Sequence, residues 1–161
     1  MREPDDGWGK SQVSVSDSLS LTPIGYVENK YDDVTQISWT KVKSSIVLHE
    51  NFTETLNGLE GFSHIFVIGW LHLFPDHLRN RTAAFPRGDS MLPQLGSFAL
   101  RGARPNPISV TVCKLLKIDG NNILVQGLDL VNSTPVLDIK PYIPEYDSNS
   151  SASLPDWAYE K

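Results

Sequence analysis

ISVTVCKLLKIDGNNILVQGLDL, residues 108–130, decides the fold class. In its first half, Ile108, Val110, Val112, Leu116 and Ile118 fall on one side of an extended chain. Ser109, Thr111, Cys113 and Lys117 fall on the other. Period two marks a strand with one face toward a core. Asp119-Gly120-Asn121-Asn122 follows, and these residues accept the positive φ of a tight hairpin turn at little cost. Residues 123–130 then return as the partner strand. A long antiparallel hairpin with its apolar side inward is the expected centre of the fold.

Working outward, residues 64–74 (HIFVIGWLHLF) are too apolar to alternate, which predicts a strand buried on both faces. Shorter strands are expected at 19–27, with Pro23 at an edge or start, and at 44–49, 97–100 and 136–139. Residues 51–61 suit one helix, capped by Asn51 or Thr53 and ended by Gly58 or Gly61. Residues 79–95 form a long polar loop carrying Pro86 and Pro93, a length usual for functional or mobile segments. Six or so strands with one short helix predict a mostly-β domain, either a barrel or a folded sheet.

The chain has 161 residues, 40% of them hydrophobic, which is room for one core and not two. The domain is expected at 20–147, between a disordered or tag-like tail at 1–19 and a Ser-rich tail at 148–161. No apolar run approaches bilayer length, and the polar, acidic N-terminus is unlike a secretory signal. A soluble, cytoplasmic protein with no membrane contact is the expectation. A single cysteine, Cys113, excludes a disulfide scaffold and a Cys-rich zinc site.

The formal charge of −5 disfavours a nucleic-acid partner until it is divided. Five of the six arginines lie between residues 76 and 104 with only Asp76 and Asp89, giving that stretch +3 and leaving −8 elsewhere. A confined basic face is therefore possible on an acidic protein.

Several chemistries are absent. There is no G-x-S-x-G elbow, Walker loop or G-x-G-x-x-G fingerprint. His72 and His77 are five apart and do not share a helix face; with His64 they read as structural, and no metal is expected. Cys113 reads as packing rather than nucleophile. Two segments carry more unusual residues than packing needs. GSFALRGARPNPI, residues 96–108, sets Arg101 and Arg104 in a Gly/Pro-stiffened connection suited to gripping a carboxylate or phosphate, or to locking the loop itself. LDLVNSTPVLDIKPY, residues 128–142, places Asp138 and Lys140 on one strand face beside Pro141 and Tyr142, as a site wall or an edge-strand charge pair.

In this order the two segments resemble the TsaA-like family, whose best-known members are the TrmO tRNA methyltransferases. The family pattern runs G-x-F-A-T-R-S-x-x-R-P-N-P-I-G, then a hairpin, then L-D-L-x-D-G-T-P-V-L-D-I-K-P-Y. Upstream, residues 59–66 (LEGFSHIF) and Pro23-Ile24-Gly25 also match, so the resemblance covers residues 22 to about 147. It implies a compact single β-barrel, dimeric, that binds S-adenosylmethionine outside the Rossmann methyltransferase architecture. It further implies methylation of N6 of threonylcarbamoyladenosine next to the tRNA anticodon.

Carried over by position, cofactor contacts fall on His72, Leu73, Arg101, Val110, Asp129, Leu130, Val131, Asn132 and Thr134. Asp138 and Tyr142 are the candidates for accepting the N6 proton, with Lys140 as electrostatic partner. Arg79, Arg81, Arg87 and Arg104 are the candidate RNA contacts. The chain departs from the pattern at Leu100 (threonine in the family), Ser109 (glycine) and Asn132-Ser133 (Asp-Gly). Arg101 and Arg104 are one residue closer together, and Ser38-Trp39-Thr40 stands where many members of the family carry a Pro-Arg-Gln cofactor loop. These departures keep two alternatives open: the same fold acting on a small molecule or other acceptor, and a non-catalytic SAM- or RNA-binding module.

Overall fold

In a computed structural model, residues 18–33 and 37–159 are described. All but the last two residues of the expected N-terminal tail lie outside them.

Six strands close into an antiparallel barrel in the order β1-β2-β7-β6-β3-β8. They are β1 (Gly25–Glu28), β2 (Lys43–Leu48), β3 (His64–Trp70), β6 (Ile108–Asp119), β7 (Asn122–Gln126) and β8 (Pro135–Pro141). Two-residue strands β4 (Ala83–Ala84) and β5 (Leu95–Gly96) pair only with each other. Closure removes the open sheet edges that short strands would otherwise expose. The predicted mostly-β barrel is present, and its central hairpin is β6–β7 with Gly120 at φ 59 in the turn.

The interior is filled by Val27, Ile46, Ile65, Val67, Ile123, Val125, Leu128 and Val136, all without solvent exposure, and by Leu130 at 1%. Burying each such side chain contributes about 1.5–3 kcal/mol. Gly69 on β3 makes room for this filling. A Cβ there would lie 2.8 Å from the tip of Leu130 and 2.9 Å from the Ser109 hydroxyl.

The inward face of β6 is not the one its apolar residues suggest. Ile108, Val110 and Val112 point outward with 40–45% exposure, whereas Cys113 is buried. Pairing with β3 decides this: Cys113 lies opposite Ile65 and Thr111 opposite Val67, both fully buried. A register shift between Leu115 and Lys117 then inserts Leu116 as an extra residue. Leu115 already shares the inward face of Cys113, and the shift returns Ile118 to the core.

β3 was expected to be buried on both faces, yet it alternates. Ile65 and Val67 face inward, while His64, Phe66, Ile68 and Trp70 lie half-exposed outside. A closed barrel has one interior, so the second apolar face remains on the surface.

Three other expectations also change. Residues 51–61 form 3-10 turns, Glu50–Leu56 and Leu59–Gly61, broken by Gly58 at φ 87. The hydroxyls of Thr53 and Thr55 donate to the carbonyls of Glu50 and Phe52, three residues back, which favours the tighter winding. The strand expected at 97–100 is a 3-10 turn, Ser97–Ala99, whose Ser97 hydroxyl donates to the Arg81 carbonyl. The strand expected from residue 19 begins at Gly25. The loop at 79–95 is punctuated by the end of a one-turn helix α1 (Asp76–Arg79), by β4 and by a turn at Pro86–Gly88. A second one-turn helix, α2 (Pro144–Asp147), follows β8.

Ser133 stands at φ 61, a left-handed conformation that disfavours a side chain, and its N–H donates to the Val27 carbonyl at 2.8 Å. Ser133→Gly is expected to relieve that strain and stabilise the fold by about 1 kcal/mol. The check is an upward shift of the thermal midpoint with unchanged circular dichroism.

Candidate active site

One end of the barrel gathers the ends of β1, β3 and β7 and the starts of β2, β6 and β8. Beyond Gln126 the chain turns at Gly127 (φ 88) and residues 128–134 run across this mouth. Leu128 and Leu130 drop into the core. Asp129, between them, therefore points outward to the rim, where its carboxylate accepts a hydrogen bond from the Thr111 hydroxyl.

Asn29 ties the segment down. Its amide nitrogen donates to the Leu130 carbonyl at 2.9 Å and to the Ser44 hydroxyl at 3.0 Å. Its amide oxygen accepts from the Tyr31 N–H at 2.9 Å. Its backbone N–H donates to Asn132 Oδ1 at 3.2 Å. The Thr134 hydroxyl donates to the Val131 carbonyl at 2.8 Å, closing the turn.

Between this segment and residues 71–75, which follow β3, lies a cavity of about 340 Å3. Its walls are Asp33, Leu71, His72, Leu73, Phe74, Pro75, Asp129, Leu130, Val131 and Thr134. The 71–75 turn is held by the Leu71 N–H on the Pro107 carbonyl at 2.7 Å and the Phe74 N–H on the Leu71 carbonyl at 3.0 Å. Six of the nine residues assigned to cofactor binding by resemblance thus converge on one cavity: His72, Leu73, Asp129, Leu130, Val131 and Thr134. Asn132 is in the same segment, where its amide donates to Asp32 at 3.2 Å. Arg101 and Val110 do not line the cavity; instead the Arg101 guanidinium donates to the Val110 carbonyl at 3.0 Å.

The proposed proton-accepting group is elsewhere. Asp138 and Lys140 lie on the outer side of β8, joined by an ion pair at 2.7 Å. The Asp138 carboxylate also accepts from the Ile139 N–H at 2.9 Å. Its hydrogen bond and charge hold the Lys140 ammonium above the usual lysine range. Asp138 borders a different cavity of about 450 Å3, which it shares with Phe52, Leu56 and Phe62, and Tyr142 packs on Phe66 at 5.5 Å between ring centroids. These three residues take no part in the 340 Å3 cavity, because β8 carries them four or more residues beyond its rim.

Most of the candidate RNA-binding arginines have internal work. Arg104 donates to the carbonyls of Ser97, at 2.7 Å, and Leu100, and lies over the Phe98 ring. Arg79 pairs with Asp76 at 3.3 Å and lies over Trp70. Arg87 reaches the Trp157 carbonyl at 3.3 Å. Arg81 is exposed.

Asn29, Asp33, Thr111 and the apolar wall Leu71, Phe74 and Pro75 were missed by sequence reasoning. Only their place in three dimensions, beside motif residues, marks them. Among the described residues no three of His, Cys, Asp or Glu converge as a metal site, and no helix is long and apolar enough to cross a membrane.

Comparison with known proteins identifies the family. Residues 33–148 match the model of the tRNA-methyltransferase O N-terminal domain, and the chain belongs to that family. A probable S-adenosyl-L-methionine-binding protein of Methanothermobacter thermautotrophicus is 36% identical, over 81% of this chain and 94% of its own length. The tRNA (adenine(37)-N6)-methyltransferase of Homo sapiens is 33% identical over 86% of this chain. This chain covers only 33% of that enzyme's length. The crystal structure of TrmO from Pseudomonas aeruginosa superposes with a TM-score of 0.64 at 30% identity, covering 84% of this chain and 61% of that one.

Cys113, on the inner face of β6, has its thiol pKa pushed up to about 12, first by burial and then by the Asp129 charge. The folded protein is expected to resist iodoacetamide at pH 8 and to react once unfolded, which mass spectrometry reads directly. The unfolded thiol ionises near its ordinary value of 9.0 while the folded one holds its proton. Cys113 therefore subtracts stability as pH rises from about 9 toward 12.

Proposed function

We propose that this chain is an S-adenosylmethionine-dependent methyltransferase acting on N6 of an adenosine beside the tRNA anticodon, in its threonylcarbamoyl-modified form. The observation that carries this reading is the convergence of six motif residues on one cavity at the barrel mouth. Its volume falls within the range of small-molecule sites, about 300–1,000 Å3.

The lining fits the cofactor chemically. Leu71, Leu73, Phe74 and Leu130 provide apolar walls for an adenine ring, and the Asp33 and Asp129 carboxylates complement hydroxyl donors and a positive sulfonium. When bound, S-adenosylmethionine supplies an already activated methyl group, so positioning contributes much of the rate. The protein's remaining task is to receive the proton that the weakly nucleophilic N6 must shed. Asp129 is the group placed for it: its carboxylate is at the rim, steered by the Thr111 hydroxyl, and the two buried leucines beside it fix its backbone. Asp138 and Tyr142, outside the cavity, are the weaker candidates within one chain.

The outward row Ile108, Val110 and Val112 beside Ile68 and Trp70 is more apolar than a solvated barrel wall requires. It supports a homodimer joined through this face, in the cytoplasm where tRNA is processed.

The decisive measurement is transfer of labelled methyl from S-adenosylmethionine to bulk tRNA with and without the threonylcarbamoyl group. Incorporation is expected only into the modified tRNA, and none into either would overturn the reading. Asp129→Asn is expected to lower turnover about 100- to 10,000-fold, the usual contribution of a positioned base, while Asp138→Asn stays near wild type. In sedimentation velocity the wild type is expected to run as a dimer and Val112→Glu as a monomer.

A further inference from the structure

At the β1–β2 connection, Lys30, Lys41 and Lys43 line a recess of about 430 Å3 together with Tyr31, Ser38 and Val42. We infer that this lysine recess, with Tyr31 in its lining and Trp39 edge-on against that ring, is a contact surface for the RNA backbone and one unstacked base. It rests on the tRNA reading above and names the part of the protein that holds that substrate.

Three observations carry it. First, these cations are available. Among the described residues, ion pairs join Arg79 to Asp76, Lys117 to Asp119 and Lys140 to Asp138, and none involves Lys30, Lys41 or Lys43. The arginine stretch, by contrast, places Arg79, Arg87, Arg101 and Arg104 on its own carboxylate, carbonyls and rings. Of the acids in the same connection, Asp32 accepts from Asn132 and Asp33 lines the cofactor cavity.

Second, the positive charge continues across the sheet. Lys43 is opposite Gln126 on β7, Gln126 opposite Lys114 on β6, and Lys114 opposite His64 on β3. With strands about 4.8 Å apart, Lys43 and Lys114 are about 10 Å apart, too far for one phosphate and suited to successive ones. The next residues along these strands on the same face, Ser45, Leu124, Val112 and Phe66, carry no charge, and the acid of this face is Glu28 on β1, opposite Ser45.

Third, the recess holds aromatic faces. Tyr31 meets Trp39 edge-on with ring centroids 5.6 Å apart, and the Lys30 ammonium lies 5.4 Å from the Tyr31 ring centre. Cations interleaved with aromatic rings are how single-stranded nucleic acid is gripped without reading its sequence, the bases stacking while lysines meet the phosphates. The surface is at the same barrel end as the cavity, so an RNA held there can present an adenosine to it.

The test measures binding of threonylcarbamoylated tRNA by fluorescence anisotropy from 50 to 300 mM NaCl, about the range in which phosphate contacts dominate. The triple variant Lys30→Ala/Lys41→Ala/Lys43→Ala is compared with wild type and with Lys117→Ala. S-adenosylmethionine binding by calorimetry verifies that each variant is folded. The triple variant is expected to bind the cofactor normally and to lose about 2 units from the slope of log affinity against log salt. That is the loss for three single-strand phosphate contacts at about 0.7 each. Tyr31→Ala is expected to weaken binding with the slope unchanged. A triple variant with the wild-type slope and affinity overturns the inference and leaves the tRNA reading standing. A wild type that binds no tRNA at 50 mM salt overturns both.

Discussion

The amide of Asn29 holds the 128–134 segment across the barrel mouth, and the site depends on that clasp. One side chain reaches Leu130, Ser44 and Tyr31, while its backbone N–H meets Asn132. Each bond is modest, about 1 kcal/mol net. Together they link three stretches far apart in the chain, and the buried Leu128 and Leu130 add the apolar half of the anchor. Gly69 is the complementary constraint, since any side chain there would strike Leu130 and lift the segment that carries Asp129.

Around this clasp the barrel mouth divides into three chemically distinct neighbours. The cavity between residues 71–75 and 129–134 is apolar with two carboxylates at its margin. The arginine stretch beside it is a self-braced frame in which Arg104 binds the carbonyls of its own turn. Stiffness there follows from the guanidinium fork, which satisfies two carbonyls at once where a lysine would satisfy one loosely. Lys30, Lys41 and Lys43, at the β1–β2 connection and the start of β2, border a separate recess and have no ion partner among the described residues.

The split of charge along the chain was legible in the sequence, but not which of its cations already have partners. Counting placed +3 between residues 76 and 104 and left the lysines submerged in an acidic remainder. Counting is blind to partners. Arg79 is offset by Asp76, whereas Asp32, two residues past Lys30, accepts from Asn132, and Asp33 lines the cavity. The placement of Asp138 shows the same limit. Asp138 is only four residues past Thr134, yet in an extended strand that is about 13 Å, and the intervening register shift against β3 sets it on the outer face.

What the sequence by itself determined is the six barrel strands, the β6–β7 turn, the absence of a Rossmann phosphate loop, and the motif segments that border the cavity. Local residue chemistry is enough for these: alternation, Asp-Gly turns and proline-stiffened loops act over a few residues. Tertiary structure alone decided which face of each strand is inside. Val110 and Val112 are as apolar as Ile65 and Val67, but a closed barrel has one interior, and pairing with β3 awarded it to Thr111 and Cys113. Register is a property of two strands together, and a one-residue bulge reverses it, so no single segment contains that information.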